Sequence, residues 1–208
     1  MGHIFEEYVN QDSGNVCYSL QTESGPVWIK ILNLKQTPLS NIHEIIQFYN
    51  TFESALIPKN WTLVELTDNL VMRHDWGPGK VLYSPDECRD APYSTFQKFL
   101  RLPQEEKIRV YTVILEFFVE LEGQKIIVED FYDGCIIYDF ADNQVFLCDL
   151  DHIHVGSYEL KKDRQLGSQR FMAPEEFRKG AIIDQRTNVY KLGATAFVPL
   201  SNNRREEA

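Results

Sequence analysis

The sequence predicts an α+β protein in two parts: a small antiparallel, β-rich part over residues 1–76 and a larger, mainly helical part over residues 77–208. Three observations lead there. Short β-branched and aromatic runs broken by turn residues fill the first third of the chain. Gly77-Pro78-Gly79 then stops every periodic pattern and marks a boundary. Beyond it, residues 104–122 carry a sustained helical repeat.

Taken in order, residues 5–34 read as short strands. Asn15–Leu20 is one, Val27–Leu32 is stronger, and Ser24-Gly25-Pro26 turns the chain between them. Ser40–Leu56 reads as a helix: Ser40 can cap it, and Ile42, Ile45, Ile46, Tyr49, Phe52 and Leu56 recur at helical spacing. Thr62–Leu66 and Leu70–Met72 read as strands joined at Thr67-Asp68-Asn69. The helix at 104–122 has Pro103 at its start, acids in its first turn and Gly123 at its end. Its expected apolar face is Ile108, Tyr111, Ile114, Leu115, Phe118 and Leu121. Two strands follow, Cys135–Tyr138 and Gln144–Cys148, turned by Ala141-Asp142-Asn143.

The chain has 208 residues, 43% of them hydrophobic, enough for a substantial core. A net charge of −10 argues against nucleic acid as a partner and against a polybasic membrane anchor. No apolar run reaches the about 18 residues of a membrane span, and the N-terminus has no signal-peptide pattern. Gly2 lacks the Ser or Thr that myristoylation needs. Cys17, Cys88, Cys135 and Cys148 form no CxxC pair and read as reduced thiols, which points to a cytoplasmic protein.

The chemistry-bearing signals fall in the last third. Val128-Glu129-Asp130 precedes an apolar run, and Cys148-Asp149-Leu150-Asp151 places a second acid 19 residues after Asp130. Gly167-Ser168-Gln169-Arg170-Phe171-Met172-Ala173-Pro174-Glu175 then ends 26 residues beyond Asp149. Phosphoryl transfer uses one carboxylate to orient the acceptor hydroxyl and another to hold the metal that bridges the phosphates. The order and spacing resemble the catalytic half of a protein kinase. The resemblance runs over about residues 10 to 197 and is to eukaryotic-type Ser/Thr kinases of the protein kinase-like superfamily, in a divergent, bacterial-looking, C-terminally short form.

That resemblance implies a bilobal fold and places for further residues. Lys30, in Val27-Trp28-Ile29-Lys30, matches the strand lysine that contacts ATP phosphates. Glu44 matches the helix glutamate that reaches back to it, whereas Glu53 leaves too little chain before the hinge. His74-Asp75-Trp76 falls where that hinge meets the nucleotide. Gly14 and Val16 match the last glycine and the valine of the glycine-rich loop, while Asn10 and Asp12 stand where its other glycines are usual. Asp130 matches the catalytic-loop aspartate, with Val128 and Glu129 in place of histidine and arginine. Without that arginine, the resemblance implies no need for activation-segment phosphorylation.

Tyr132 and Cys135 replace the usual lysine and metal-binding asparagine, and a thiol is a poor ligand for Mg²⁺. Asp149-Leu150-Asp151 replaces Asp-Phe-Gly. Asp149 would bind metal, and Asp151 either supplies the second metal oxygen or caps the next turn. Asp133 and Asp139 read as turn residues. Ser168, Pro174 and Glu175 match the substrate-side segment, and Asn188 stands where kinases use an aspartate to hold the catalytic loop. Pro199 is expected to interrupt the last helix. A C-terminally short lobe would expose apolar surface, to be covered by a partner or a missing segment, and would leave Glu175 without its usual arginine.

The implied function is transfer of the γ-phosphoryl group of ATP, with Mg²⁺ or Mn²⁺, to a Ser or Thr hydroxyl of a protein. Two alternatives remain open at this point. One is a pseudokinase serving as a scaffold. The other is a small-molecule kinase of the aminoglycoside or choline type, favoured by Asp149-x-Asp151 and opposed by Ala173-Pro174-Glu175.

Overall fold

The computed structural model describes residues 2–9, 14–35, 39–67, 69–84 and 87–200, without the side chains of residues 40–41 and 197–199. Asn10, Asp12, Asp68, the side chain of Ser40 and the polar tail at 201–208 lie outside the described residues. The chain divides into two compact units, Met1–Pro78 and Gly79–Ala208. The α+β class expected from the sequence is the class observed.

The first unit is a five-stranded antiparallel sheet in the order β1-β2-β3-β5-β4, with one helix. The strands are β1 (His3–Tyr8), β2 (Val16–Thr22), β3 (Gly25–Ile31), β4 (Thr62–Glu65) and β5 (Leu70–Asp75); the helix is α1 (Leu39–Thr51). β5 runs three residues beyond its expected end at Met72, because Arg73, His74 and Asp75 continue the ladder opposite Ile29, Trp28 and Val27. α1 ends five residues before the expected Leu56. An aromatic stack ties the unit together. Tyr49 lies 3.7 Å from Trp61, Trp61 lies 4.1 Å from His74, and Trp28 stacks on Trp76 at 5.6 Å. Such contacts add to the area they bury.

The second unit holds β6 (Lys80–Val81), α2 (Thr95–Leu100), α3 (Gln104–Gly123), β7 (Ile126–Val128), β8 (Ile136–Asp139), β9 (Gln144–Leu147), β10 (Ile153–Val155), β11 (Tyr158–Glu159), β12 (Ile182–Ile183) and α4 (Gln185–Leu200). It forms three small antiparallel sheets: β6-β8-β9, β7-β10 and β11-β12. Residues 133–135 make a 3₁₀ turn, so the strand expected from Cys135 begins at Ile136.

The buried face of α3 is Lys107, Val110, Tyr111, Ile114, Phe117, Phe118 and Leu121. Two residues of the expected face, Ile108 and Leu115, are 50% and 48% exposed. Alternation at three and four residues allowed either stripe, and packing settled it. Pro199 does not interrupt the last helix, because α4 runs to Leu200. A proline in a final turn displaces few backbone hydrogen bonds. Apolar surface is exposed on this unit: Leu115, Val119 and Val189 border a cleft of about 410 Å³ between α3 and α4.

Candidate functional site

In the strand unit, Lys30 sits on β3, 6% exposed, between its cross-strand partners Cys17 and Met72. Sheet pairing puts all three side chains on one face, so the lysine stem lies among apolar atoms. Glu44 is exposed on α1. No Lys30–Glu44 ion pair is present among the described residues. Glu53 lies beyond the end of α1. Gly14 adopts φ +66°, and a Cβ there would lie 2.6 Å from Asn33 Nδ2. Its neighbour Asn15 is buried and accepts a 2.8 Å hydrogen bond from the Asn33 amide, which ties the start of β2 to the end of β3. Val16 is the first residue of β2. His74 and Asp75 close β5, and Trp76 follows, its amide donating to Pro26 O at 3.1 Å.

In the helical unit, Asp130 follows β7 and is caged by Gly167 and Ser168. The Ser168 amide donates to Asp130 Oδ1 at 3.1 Å. Gly167 lies so close that a Cβ would stand 2.5 Å from the Asp130 carboxyl carbon, and its φ of +117° suits only glycine. Burial and the Asp149 carboxylate push Asp130 up to about 6 against the pull of Ser168. The Asp130–Asp149 repulsion is a place where a cation is stabilising.

Asp149 has φ +56°, a strained conformation for a non-glycine residue, of the kind that gathers at functional sites. Asp151 is 9% exposed, two residues on. Among the described residues no cluster of three or more metal-binding side chains occurs. Two hard carboxylates are nevertheless what Mg²⁺ takes from a protein when phosphates and water complete its shell, so the donor set fits that ion. Cys135 is fully buried, its Sγ donates to Asp130 O at 3.5 Å, and burial raises its pKa well above the ordinary thiol value. It is therefore a neutral thiol bracing the loop.

Asn188 on α4 holds β7, the strand that leads to Asp130. Its Oδ1 accepts from Val128 N at 2.9 Å and its Nδ2 donates to Ile126 O at 2.9 Å. Glu175, expected to lack its usual arginine, has a hydroxyl partner instead: Thr187 Oγ1 donates to Glu175 Oε1 at 2.7 Å. Pro174 opens a 3₁₀ turn over Pro174–Phe177. Of the acids read as turn residues, Asp133 is 1% exposed and paired with Arg89 at 2.5 Å. Asp139 is also buried and accepts from the Ala141 amide.

The residues missed from sequence are Glu176 and Lys191, 0% and 1% exposed. Their charged atoms meet at 2.6 Å. Glu176 Oε2 accepts from the Ala173 amide at 2.7 Å, and Lys191 Nζ donates to Val128 O at 3.4 Å and to Glu129 O. One ammonium thus joins the end of β7 and Glu129 to the segment that carries Glu176. A signal for it exists in α4: Thr187, Asn188, Lys191 and Thr195 are polar residues at the spacing of one helix face, and all four are buried.

No family model and no curated protein matches the sequence. Among solved structures, the chain is similar to the granulovirus kinase PK-1 of Cydia pomonella. The TM-score is 0.70 at 14% identity, over 97% of this chain and 69% of that one. The likeness is one of fold: the chain has a bilobal, protein kinase-like α+β fold.

Proposed function

We propose that this chain is an ATP-dependent protein kinase that phosphorylates Ser or Thr hydroxyls. The observation that carries the reading is the cage around Asp130, closed by Gly167 and Ser168, with the Asp149 carboxylate in charge range. A carboxylate fixed in this way can accept the hydrogen bond of an acceptor hydroxyl and take its proton as the oxygen bonds to the γ-phosphorus and ADP departs. Asp149 and Asp151 would hold Mg²⁺ or Mn²⁺, which supplies neutralisation of the phosphate charge. Lys30 and Glu44 would position the phosphates, and Gly14, Val16 and His74-Asp75-Trp76 would bind the nucleotide. Ser168, Pro174 and Glu175 would face the substrate. The Lys191–Glu176 pair supports a segment ordered without phosphorylation, since an internal cation already ties it to the catalytic loop.

A pseudokinase is the second reading, favoured by the neutral, buried Cys135 where a metal ligand is usual. The test is transfer of labelled γ-phosphate from ATP with Mg²⁺ or Mn²⁺. Wild type should label protein, and Asp130→Asn and Asp149→Ala should each lose about a thousandfold or more. A folded wild type that binds nucleotide and transfers nothing would establish the second reading.

A further inference from the structure

The substrate-side segment is basic in an acidic protein. Between Lys161 and Lys179 stand six basic residues, Lys161, Lys162, Arg164, Arg170, Arg178 and Lys179, against three acids, whereas the whole chain carries −10. One of the three acids, Glu176, is consumed internally by Lys191.

The fold gathers these charges rather than stringing them out. Leu160 N donates to Ala181 O at 2.9 Å and Gly180 N to Leu160 O at 2.8 Å, closing the neck of the segment. Pairing of β11 with β12 continues that closure. Lys161, Lys162 and Arg164 on one side of the neck therefore stand near Arg178 and Lys179 on the other, and Lys179 reaches Asp163 at 4.0 Å. All five are exposed. At the inner end of the segment, Ser168 touches Asp130. Two residues on, the charge of Arg170 is felt by both members of the buried Arg89–Asp133 pair.

We infer that this segment docks an acidic stretch of polypeptide, so that the phosphorylated Ser or Thr lies among Asp, Glu or already phosphorylated residues. The inference rests on the kinase reading, which puts the acceptor hydroxyl at Asp130 and hence its flanking residues on this segment. A nucleic acid is the other polyanion such charges could meet. The peptide is favoured because the basic cluster is short and adjoins Asp130, while the chain as a whole repels long polyanions.

The test is binding, read by fluorescence anisotropy at low salt, of two 12-residue peptides with a central Ser, one flanked by Glu and Asp and one by Lys and Arg. The acidic peptide should bind at least about tenfold tighter. The triple variant Lys161→Glu/Lys162→Glu/Arg164→Glu should lose that preference with an unchanged Tm. The same reversals at exposed Lys35, Lys59 and Lys98 should keep most of it. Equal binding of the two peptides, equal loss in both triple variants, or tighter binding of a 12-nucleotide single strand than of the acidic peptide would each overturn the inference. Phosphate transfer is measured separately. Acidic preference without transfer would sink the kinase reading, whereas transfer favouring the basic peptide would sink only this inference.

Discussion

Lys30 and Lys191 are both taken out of water, and their surroundings differ in kind. Lys191, on the helix of the second unit, lies among oxygens: a buried carboxylate and two loop carbonyls. Lys30, on a strand of the first unit, is flanked across the ladder by Cys17 and Met72, neither of which carries a carboxylate. An ammonium surrounded by structural oxygens holds a loop in place. One whose stem lies against an apolar strand face has its position set by the sheet. Burial alone does not separate the two; the neighbours do.

The largest expected effect breaks that comparison directly. Lys191→Met strands Glu176 as a buried, unpaired carboxylate and should cost about 3–5 kcal/mol by urea unfolding. Adding Glu176→Gln should return most of the loss. Lys30→Met should abolish phosphate transfer and cost less stability than Lys191→Met, since a methionine fills the place of the stem between Cys17 and Met72. Equal destabilisation at the two positions would mean that both lysines are structural. Next in size is Gly167→Ala, with its backbone at φ +117° and a Cβ pressed on the Asp130 carboxylate. It should cost about 2–3 kcal/mol and shift the thermal midpoint accordingly.

How far the sequence reached follows the same division. Strands were legible where apolar runs met turn residues, as at β3, and α3 was legible from its repeat and its proline start. Asp130 and Asp149 were nominated because loop acids at fixed spacing carry chemistry that few folds need, and the structure gives one a raised carboxyl and the other a left-handed backbone. Four of the six residues expected on the face of α3 are buried; Ile108 and Leu115 are not, because two overlapping stripes satisfied the same periodicity until packing chose between them. Glu176 and Lys191 were not legible, because a charged residue on a helix is usually solvated and its partner here lies 15 residues away across a turn. Glu44 shows the opposite limit. Spacing nominates it, yet it stands exposed.

Asp130 gives a smaller effect with a defined sign. Its carboxyl is raised from 3.8 to about 6 in the folded protein, so the folded state holds a proton that the unfolded state releases over that range. Stability therefore falls as pH rises from about 4 to about 6. Asp130→Asn carries no such titration and can still accept from the Ser168 amide. It should be more stable than wild type by about 1–2 kcal/mol at pH 7, a discounted figure for a half-buried group, and should lose that advantage below about pH 4. A gap that widens in acid would contradict the burial that raises this carboxyl.

The smallest stability effect belongs to Glu44, and it tests the strand unit most sharply. Glu44→Gln changes an exposed side chain and should move the unfolding free energy by less than about 0.5 kcal/mol. If α1 turns Glu44 toward β3 when nucleotide binds, the same substitution should still lower phosphate transfer by about tenfold or more, a kinetic loss with no stability loss. The two measurements on one variant separate a residue that acts only in the working state from one that acts in neither. An unchanged transfer rate would remove Glu44 from the site, with the stem of Lys30 still held by the sheet between Cys17 and Met72.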